Sequence, residues 1–308
     1  MREKTSTDAV TGAFSYSGAA IARELLAAGR RVRTLTGHPE RGSADSDIEV
    51  CPLDFDDSDQ LRRSLQGVAT LYNTYWVRFA HGQVNHQVAV ANSRKLFDAA
   101  AEAGVQRIVH VSITHASSLS PYPYFRGKGE VEEYLAGTGI SSAIIRPAVL
   151  FGGAGVLVNN IAWLLRRFPV FPVGGHGEYR IRGIHVDDLA RLCVEMGARD
   201  DAVTLDAVGP QSLTFRQMVA AIRAAVGSKS VILPVPGSLI PALSAAVGTA
   251  LRDTLLTRDE YKAMAEGLAD SSAPSTGRVV FTDWLAQHGA ELGQTYANEL
   301  ALHFRPAT

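Results

Sequence analysis

The chain has 308 residues, 46% of them hydrophobic, with 30 Lys and Arg against 31 Asp and Glu for a formal net charge of −1. That balance leaves no electrostatic footprint for nucleic acid or for an anionic membrane, so the expected partner is a small molecule. The length is enough for a large core in one domain or in two closely joined lobes.

From the start to about residue 150, short β-branched runs alternate with helical patterns, which is the signature of a parallel sheet with crossover helices. The opening residues, Met1 to Ser6, lead into the first strand with no apolar signal region. Strands are predicted at Asp8–Thr11, Arg31–Thr36, Ile48–Pro52, Thr70–Tyr75, Arg107–Ser112 and Ser142–Arg146. Helices fall between them near Gly18–Ala28, Ser58–Leu65, Asn85–Ala103 and Tyr124–Leu135, with Gly29 and Gly104 as C-terminal caps of the first and third. After Pro147 the pattern loosens. A helix near Val156–Arg167 precedes a Pro/Gly loop from Pro169 to Gly177, then a strand and helix through His185–Met196. From Ser212 the tail is mostly helical, with a strand candidate at Val231–Pro236. The plan is a doubly wound (Rossmann) α/β domain over 1–155, with a return segment near 180–210. A smaller, mainly helical substrate lobe takes 156–179 and 211–308.

The first strand runs into Thr11-Gly12-Ala13-Phe14-Ser15-Tyr16-Ser17-Gly18, a strand-to-helix turn that sets backbone N–H groups and a helix N-terminus where a pyrophosphate can sit. Ser15 stands where the middle glycine of such a turn is usual. Its side chain either crowds the phosphate or supplies a hydrogen bond to it. The second strand ends in Thr34-Leu35-Thr36-Gly37-His38 with no carboxylate for a ribose hydroxyl, while His38 and Arg41 lie within loop reach of a 2′-phosphate. NADP(H) is therefore expected over NAD(H). Asp54-Phe55 follows the third strand. Asp54 either accepts from the adenine amino group or caps the next helix. Asn73, Thr74, Tyr75 and Trp76 end the fourth strand and should line the cofactor crevice, since ligands of open α/β sheets lie beyond the carboxyl ends of strands.

Tyr124 and Lys128 are four apart on a helix and share a face, so phenol and ammonium should point into one cleft. A fixed ammonium lowers a phenol's pKa and makes it a usable acid or base. Cys51 and Cys193 read as small buried core residues, not a disulfide, and imply a reducing cytoplasm. His81, His86, His110 and His115 show no metal-ligand spacing, and no metal is expected. The longest apolar run, Ser238 to Leu251, is too short for a bilayer span and contains Pro241, so no stable membrane insertion is expected.

On these residues the chain is similar to the atypical and extended short-chain dehydrogenase/reductase superfamily, in its NmrA-like and epimerase-like NAD(P)H-binding group. The resemblance also rests on Val109-His110-Val111-Ser112-Ile113-Thr114, on Arg146-Pro147 through Phe151-Gly152, and on His185-Val186-Asp187-Asp188-Leu189-Ala190. It implies an oxidoreductase in which Tyr124 gives a proton to a carbonyl oxygen while NADPH gives hydride, with Lys128 bonding the nicotinamide ribose. Ser112 or Thr114 would orient the carbonyl, Thr114 being preferred as the one nearer the substrate. Arg146 and Pro147 resemble the segment beside the nicotinamide, Asn159 and Asn160 resemble substrate-lobe positions, and Asp187 caps or tethers the helix at Asp188. The same resemblance accommodates a sugar-nucleotide epimerase or dehydratase, or a non-catalytic NAD(P)-binding redox sensor or structural subunit. Substrate identity and any oligomeric state are not encoded in a recognisable motif.

Overall fold

The computed structural model describes residues 6–42 and 47–304. The opening residues Met1 to Thr5, on which the absence of a signal region was read, lie outside them. In chain order come β1 (Thr7–Thr11), α1 (Tyr16–Ala27), β2 (Arg31–Thr36), β3 (Ile48–Pro52), α2 (Ser58–Ser64), β4 (Val68–Asn73), α3 (His86–Glu102), β5 (Arg107–Val111), α4 (Pro123–Gly137) and β6 (Ser141–Pro147). Next are β7 (Val149–Phe151), α5 (Val156–Arg167), β8 (Val170–Gly174), β9 (Arg180–Ile181), β10 (Gly183–His185), α6 (Val186–Gly197) and β11 (Val203–Ala207). The chain continues with β12 (Leu213–Thr214), α7 (Phe215–Ala225), β13 (Val231–Val235), α8 (Ile240–Leu251), α9 (Arg258–Ala265), α10 (Phe281–His288) and α11 (Glu299–Phe304).

Two compact units result. The first runs to Pro147 and resumes over Val186–Ala207. Its seven strands form one parallel sheet in the order β11-β6-β5-β4-β1-β2-β3. Central strands read as near-continuous apolar runs because helices cover both faces: Ala9, Val10, Leu71, Ile108, Val109, Ala143 and Ile145 are fully buried. Crossovers from β1 and β4 diverge, so the crevice between these adjacent strands is the switch point of the sheet. β4 ends at Asn73, two residues before the predicted end, because Thr11 Oγ1 of the neighbouring β1 captures the backbone N–H groups of Thr74 at 2.7 Å and Tyr75 at 3.1 Å.

Cys51 corrects the sequence expectation. It lies on β3, an edge strand paired only with β2, and is half-buried, whereas Cys193 of α6 is fully buried. The strand β11 was not expected either. It pairs with β6 and is pinned by Arg107, a fully buried side chain whose Nε donates to Met196 O at 2.9 Å and whose Nη1 donates to Asp201 O at 2.9 Å.

The second unit comprises Ala148–His185 and the residues from Val208. Its core gathers Phe151, Ile161, Leu165, Phe171, Phe215 and Trp284 with their neighbours. Three two-stranded sheets, β10-β7, β12-β9 and β13-β8, join its helices. Pro169 to Gly177 is thus not a loop throughout: Val170–Gly174 is β8, paired in parallel with β13, with Phe171 and Val173 turned inward. Pro172 and Gly174 hid a two-residue alternation in the sequence. Within the run Ser238 to Leu251, Ile240–Leu251 is α8, and no described helix is long and apolar enough to cross a membrane.

Candidate cofactor and active site

The turn after β1 is held from within. Gly12 N donates to Leu35 O at 2.9 Å and Ala13 N to Thr34 Oγ1 at 3.0 Å, anchoring the turn to β2. Gly12 has φ +65°, the left-handed region that favours glycine. A Cβ on Gly18 would lie 2.1 Å from Gly12 O, so only glycine lets the first turn of α1 close on the loop. The Ser15 hydroxyl is engaged within the turn. It donates to Gly12 O at 2.6 Å and leaves α1 without a side-chain cap. Phe14 and Tyr16 flank the turn, half-buried, and burial with the charge of Asp187 pushes the Tyr16 phenol upward.

At the switch point, Thr11, Asn73 and His110 form one buried chain across three strands. The Thr11 hydroxyl donates to Asn73 Oδ1 at 3.1 Å, Tyr75 N donates to the same oxygen at 3.1 Å, and Asn73 Nδ2 lies 3.0 Å from His110 Nδ1. Since Asn73 Oδ1 receives two donors, its amide nitrogen donates to His110 Nδ1, and Nε2 of a neutral His110 carries the hydrogen. Burial, reinforced by the charge of Lys128, holds His110 well below the usual imidazole range. Asn73 is fully buried and braces the strand ends; it does not line an open crevice, as the sequence had suggested. Thr74 Oγ1 joins the brace by donating to Thr11 O at 2.6 Å.

Beyond β2, His38 Nδ1 lies 3.2 Å from Glu40 Oε1, so a carboxylate shares the loop on which His38 and Arg41 stand. Beyond β3, Asp54 is exposed and its Oδ1 accepts from Asp56 N at 2.9 Å. The cap of α2 is Asp57, which accepts from Gln60 N at 2.8 Å, so the capping role falls three residues later than the sequence had placed it. Phe55 meets Tyr75 with ring centroids 4.8 Å apart, and the Tyr75 hydroxyl accepts from Asn92 Nδ2 at 3.0 Å.

Tyr124 and Lys128 share a face of α4, but the indole of Trp76 stands against both. Tyr124 meets Trp76 edge-on at 5.8 Å and His86 edge-on at 5.6 Å, and is half-buried. Lys128, only 2% exposed, lies with Nζ 4.5 Å from the Trp76 ring centroid and donates to Val111 O at 2.8 Å. The ammonium is thus held between a strand-end carbonyl and an aromatic face, on the same side of α4 as the Tyr124 ring. Burial pulls Lys128 down to about 7, against the opposing pull of Glu132. Glu132, one turn further along α4, is gripped by Arg146 of β6 through both carboxylate oxygens, with Nε to Oε1 at 3.0 Å and Nη2 to Oε2. Arg146 is therefore a buttress of α4.

Ser112 and Thr114 lie just past the end of β5. Thr114 is fully buried and its N–H donates to the carbonyl of the buried Pro147 at 3.0 Å. Ser112 is 4% exposed, and its Oγ has no hydrogen-bond partner among the described residues, like Trp76 Nε1 and His110 Nε2. His115, the next residue after Thr114, has φ +58°, a strained conformation at the mouth of the same loop. In the return segment, Asp187 pairs with Arg23 of α1 at 2.5 Å, tethering α6. Asn159 and Asn160 of α5 bind backbone carbonyls of Thr295 and Ala297 in the second unit.

The sequence profile of the NmrA-like family matches residues 4–169, more than half of the chain. The chain belongs to the NmrA-like family. A mitochondrial NADH dehydrogenase [ubiquinone] 1 alpha subcomplex subunit 9 of Arabidopsis thaliana is 27% identical over 230 residues, 68% of this chain but only 55% of that protein. A Citrobacter sp. triphenylmethane reductase complexed with NADP(H) superposes with a TM-score of 0.76 at 20% identity, over 92% of this chain and 99% of that one. The NADPH-dependent quinone oxidoreductase QOR2 of Escherichia coli, complexed with NADPH, gives 0.74 at 22% identity, over 92% and 98%. At these identities the two structures establish the fold of this NmrA-like chain.

Three site features escaped the sequence reading of this NmrA-like protein. Trp76 had been seen as a wall, yet it is the platform of Lys128. His110 had been weighed as a metal ligand and as part of the family segment, not as the partner of Asn73. Glu132 carried a signal, its four-residue spacing from Lys128, but its partner Arg146 lies on the strand β6, and no sequence spacing reveals that pairing.

Proposed function

We propose that the chain is an NAD(P)H-dependent oxidoreductase that reduces a carbonyl of a small molecule, with Tyr124 as proton donor. The observation that carries this reading is the Tyr124–Trp76–Lys128 constellation beside β4 and β5 of a doubly wound sheet. The residues fit a dinucleotide. The Gly12–Gly18 approach leaves a cradle that a Cβ would fill, and Ser112 Oγ and Trp76 Nε1 are buried polar atoms in want of a partner. Thr11, Gly12, Phe14, Ser15, Tyr16 and Gly18 would hold the pyrophosphate, Phe55 and Tyr75 would flank the adenosine end, and Thr74 and Pro147 would border the nicotinamide. When bound, the cofactor supplies a hydride.

The half-buried Tyr124 phenol gives its proton to the carbonyl oxygen as charge develops there. Lys128 keeps two N–H donors beyond the one held by Val111 O, and these serve the nicotinamide ribose. Ser112 or Thr114 orients the carbonyl. Trp76 and His86 exclude water from the Tyr124 side. NADP(H) is favoured over NAD(H), from His38 and Arg41, and the protein acts in the cytoplasm.

The test is NADPH oxidation against ketones, aldehydes, quinones and sugar nucleotides, with cofactor binding followed by fluorescence. A second reading, a non-catalytic NAD(P)-binding protein, is favoured by the burial of Lys128 against Val111 O and Trp76, a packing role that needs no chemistry. Tight NADPH binding without turnover of any substrate in the panel supports that second reading and defeats the first.

A further inference from the structure

Lys128 and Glu132 stand one turn apart on α4, both nearly buried. At that spacing a carboxylate and an ammonium ordinarily close on each other. Here they do not. The carboxylate faces β6 and is held by the Arg146 guanidinium in a two-point grip, while the ammonium turns to Val111 O and to the Trp76 ring.

We propose that Arg146 and Glu132 are a positioning pair for Lys128: by engaging both carboxylate oxygens, Arg146 keeps Glu132 from closing on the ammonium and leaves Lys128 aimed at the strand ends with an exchangeable proton. The proposal rests on the reading of Lys128 as part of the reductase machinery. A planar guanidinium suits the task because it satisfies a carboxylate bidentately. A buried carboxylate released from such a grip would seek the nearest remaining cation.

The charged and titratable groups around Lys128 set the expected direction. α4 contributes Glu132, and Tyr124 one turn before Lys128. β5 contributes the neutral His110. Behind Glu132 stand Arg146 of β6 and, acting on Arg146, Asp206 of β11. Trp76, from the segment after β4, brings a polarisable face without a titrating group. Removing the Glu132 charge leaves Lys128 near a guanidinium alone, so its proton should leave at lower pH. Removing Arg146 hands the carboxylate to Lys128, so its proton should leave at higher pH.

The experiment is an NMR titration of the Lys128 side chain in the free, full-length protein, with its signal identified by loss in Lys128→Met. Glu132→Gln should lower the Lys128 midpoint and Arg146→Gln should raise it, each by about one pH unit, the scale of a single nearby charge. The Glu132→Gln/Arg146→Gln double variant should return close to the wild-type value. If Arg146→Gln fails to fold, Arg146→Lys, which keeps the charge and loses the fork, replaces it and should raise the midpoint less. No displacement in the folded variants, or displacement in one direction by both, overturns the proposal. Because the titration is read without substrate, its outcome is separate from whether NADPH is ever oxidised.

Discussion

The ammonium of Lys128 lies over the indole of Trp76, 4.5 Å from the ring centroid, in a site that is 2% exposed. A cation on an aromatic face keeps part of its stabilisation when water is removed. The rest of the hydration is lost, and the pKa falls to about 7.

Stability should therefore rise with pH across a defined window. Below about 7 the lysine is protonated whether the chain is folded or not, and the burial cost is constant. Between there and about 10.4, its unfolded value, the unfolded chain binds the proton that the folded chain has released, so folding is progressively favoured, by at most about 1.4 kcal/mol per pH unit. Urea denaturation at about pH 6 and about pH 9 should show the wild type gaining on Lys128→Met as the pH rises. An equal pH dependence in both proteins would contradict the depressed lysine.

Tyr124→Phe should reduce turnover by about 10²–10⁴-fold, the usual worth of a positioned general acid, with cofactor affinity and melting temperature nearly unchanged. Lys128→Ala should lower both turnover and affinity. Lys128 is held by Val111 O and the Trp76 ring, so its loss should be felt beyond the phenol. An undiminished rate in Tyr124→Phe would remove the phenol from the chemistry.

Gly18→Ala should destabilise the fold by about 1–3 kcal/mol, the range for overpacking, and abolish cofactor binding, since its Cβ meets the carbonyl of Gly12 and not a movable side chain. Ser15→Gly is the contrast. It removes a hydroxyl that bonds only within the turn, so cofactor affinity should stay within about 1 kcal/mol of wild type. A larger loss by calorimetry would mean that the hydroxyl turns to the phosphate on binding.

NADPH should bind more tightly than NADH, and Arg41→Ala should erase much of the difference. Glu40→Gln should widen it, because the carboxylate 3.2 Å from His38 opposes a 2′-phosphate at the same loop. Titration calorimetry with both cofactors reads these effects, and tighter binding of NADH would reverse the assignment.

The sheet was legible because its signal is local. Strands such as Arg31–Thr36, largely buried, and Ile48–Pro52, at the exposed edge, are short runs rich in apolar and β-branched residues and bounded by turns, and they lie where the sequence placed them. What was hidden depends on partners distant in sequence. β4 stops at Asn73 because of a hydroxyl 62 residues earlier, and β8 became visible only through its pairing with β13. In the site, the Tyr124–Lys128 spacing was readable, but the rotation of the ammonium toward Val111 O was not. That choice is made by Trp76 and by the Arg146 grip on Glu132, neither of which any periodicity encodes.

The seventh strand has a consequence for how the chain can be divided. β11 reaches β6 only after the excursion from Ala148 to His185, and the fully buried Arg107 depends on carbonyls at Met196 and Asp201. A chain cut at Pro147 would keep every glycine of the phosphate turn, yet it would bare the edge of β6 and strand a guanidinium in the interior. Such a fragment should self-associate through that edge, so the first unit cannot be isolated by a single cut; excising 148–185, with Pro147 linked to Val186, and ending the chain at Ala207 is the route to it.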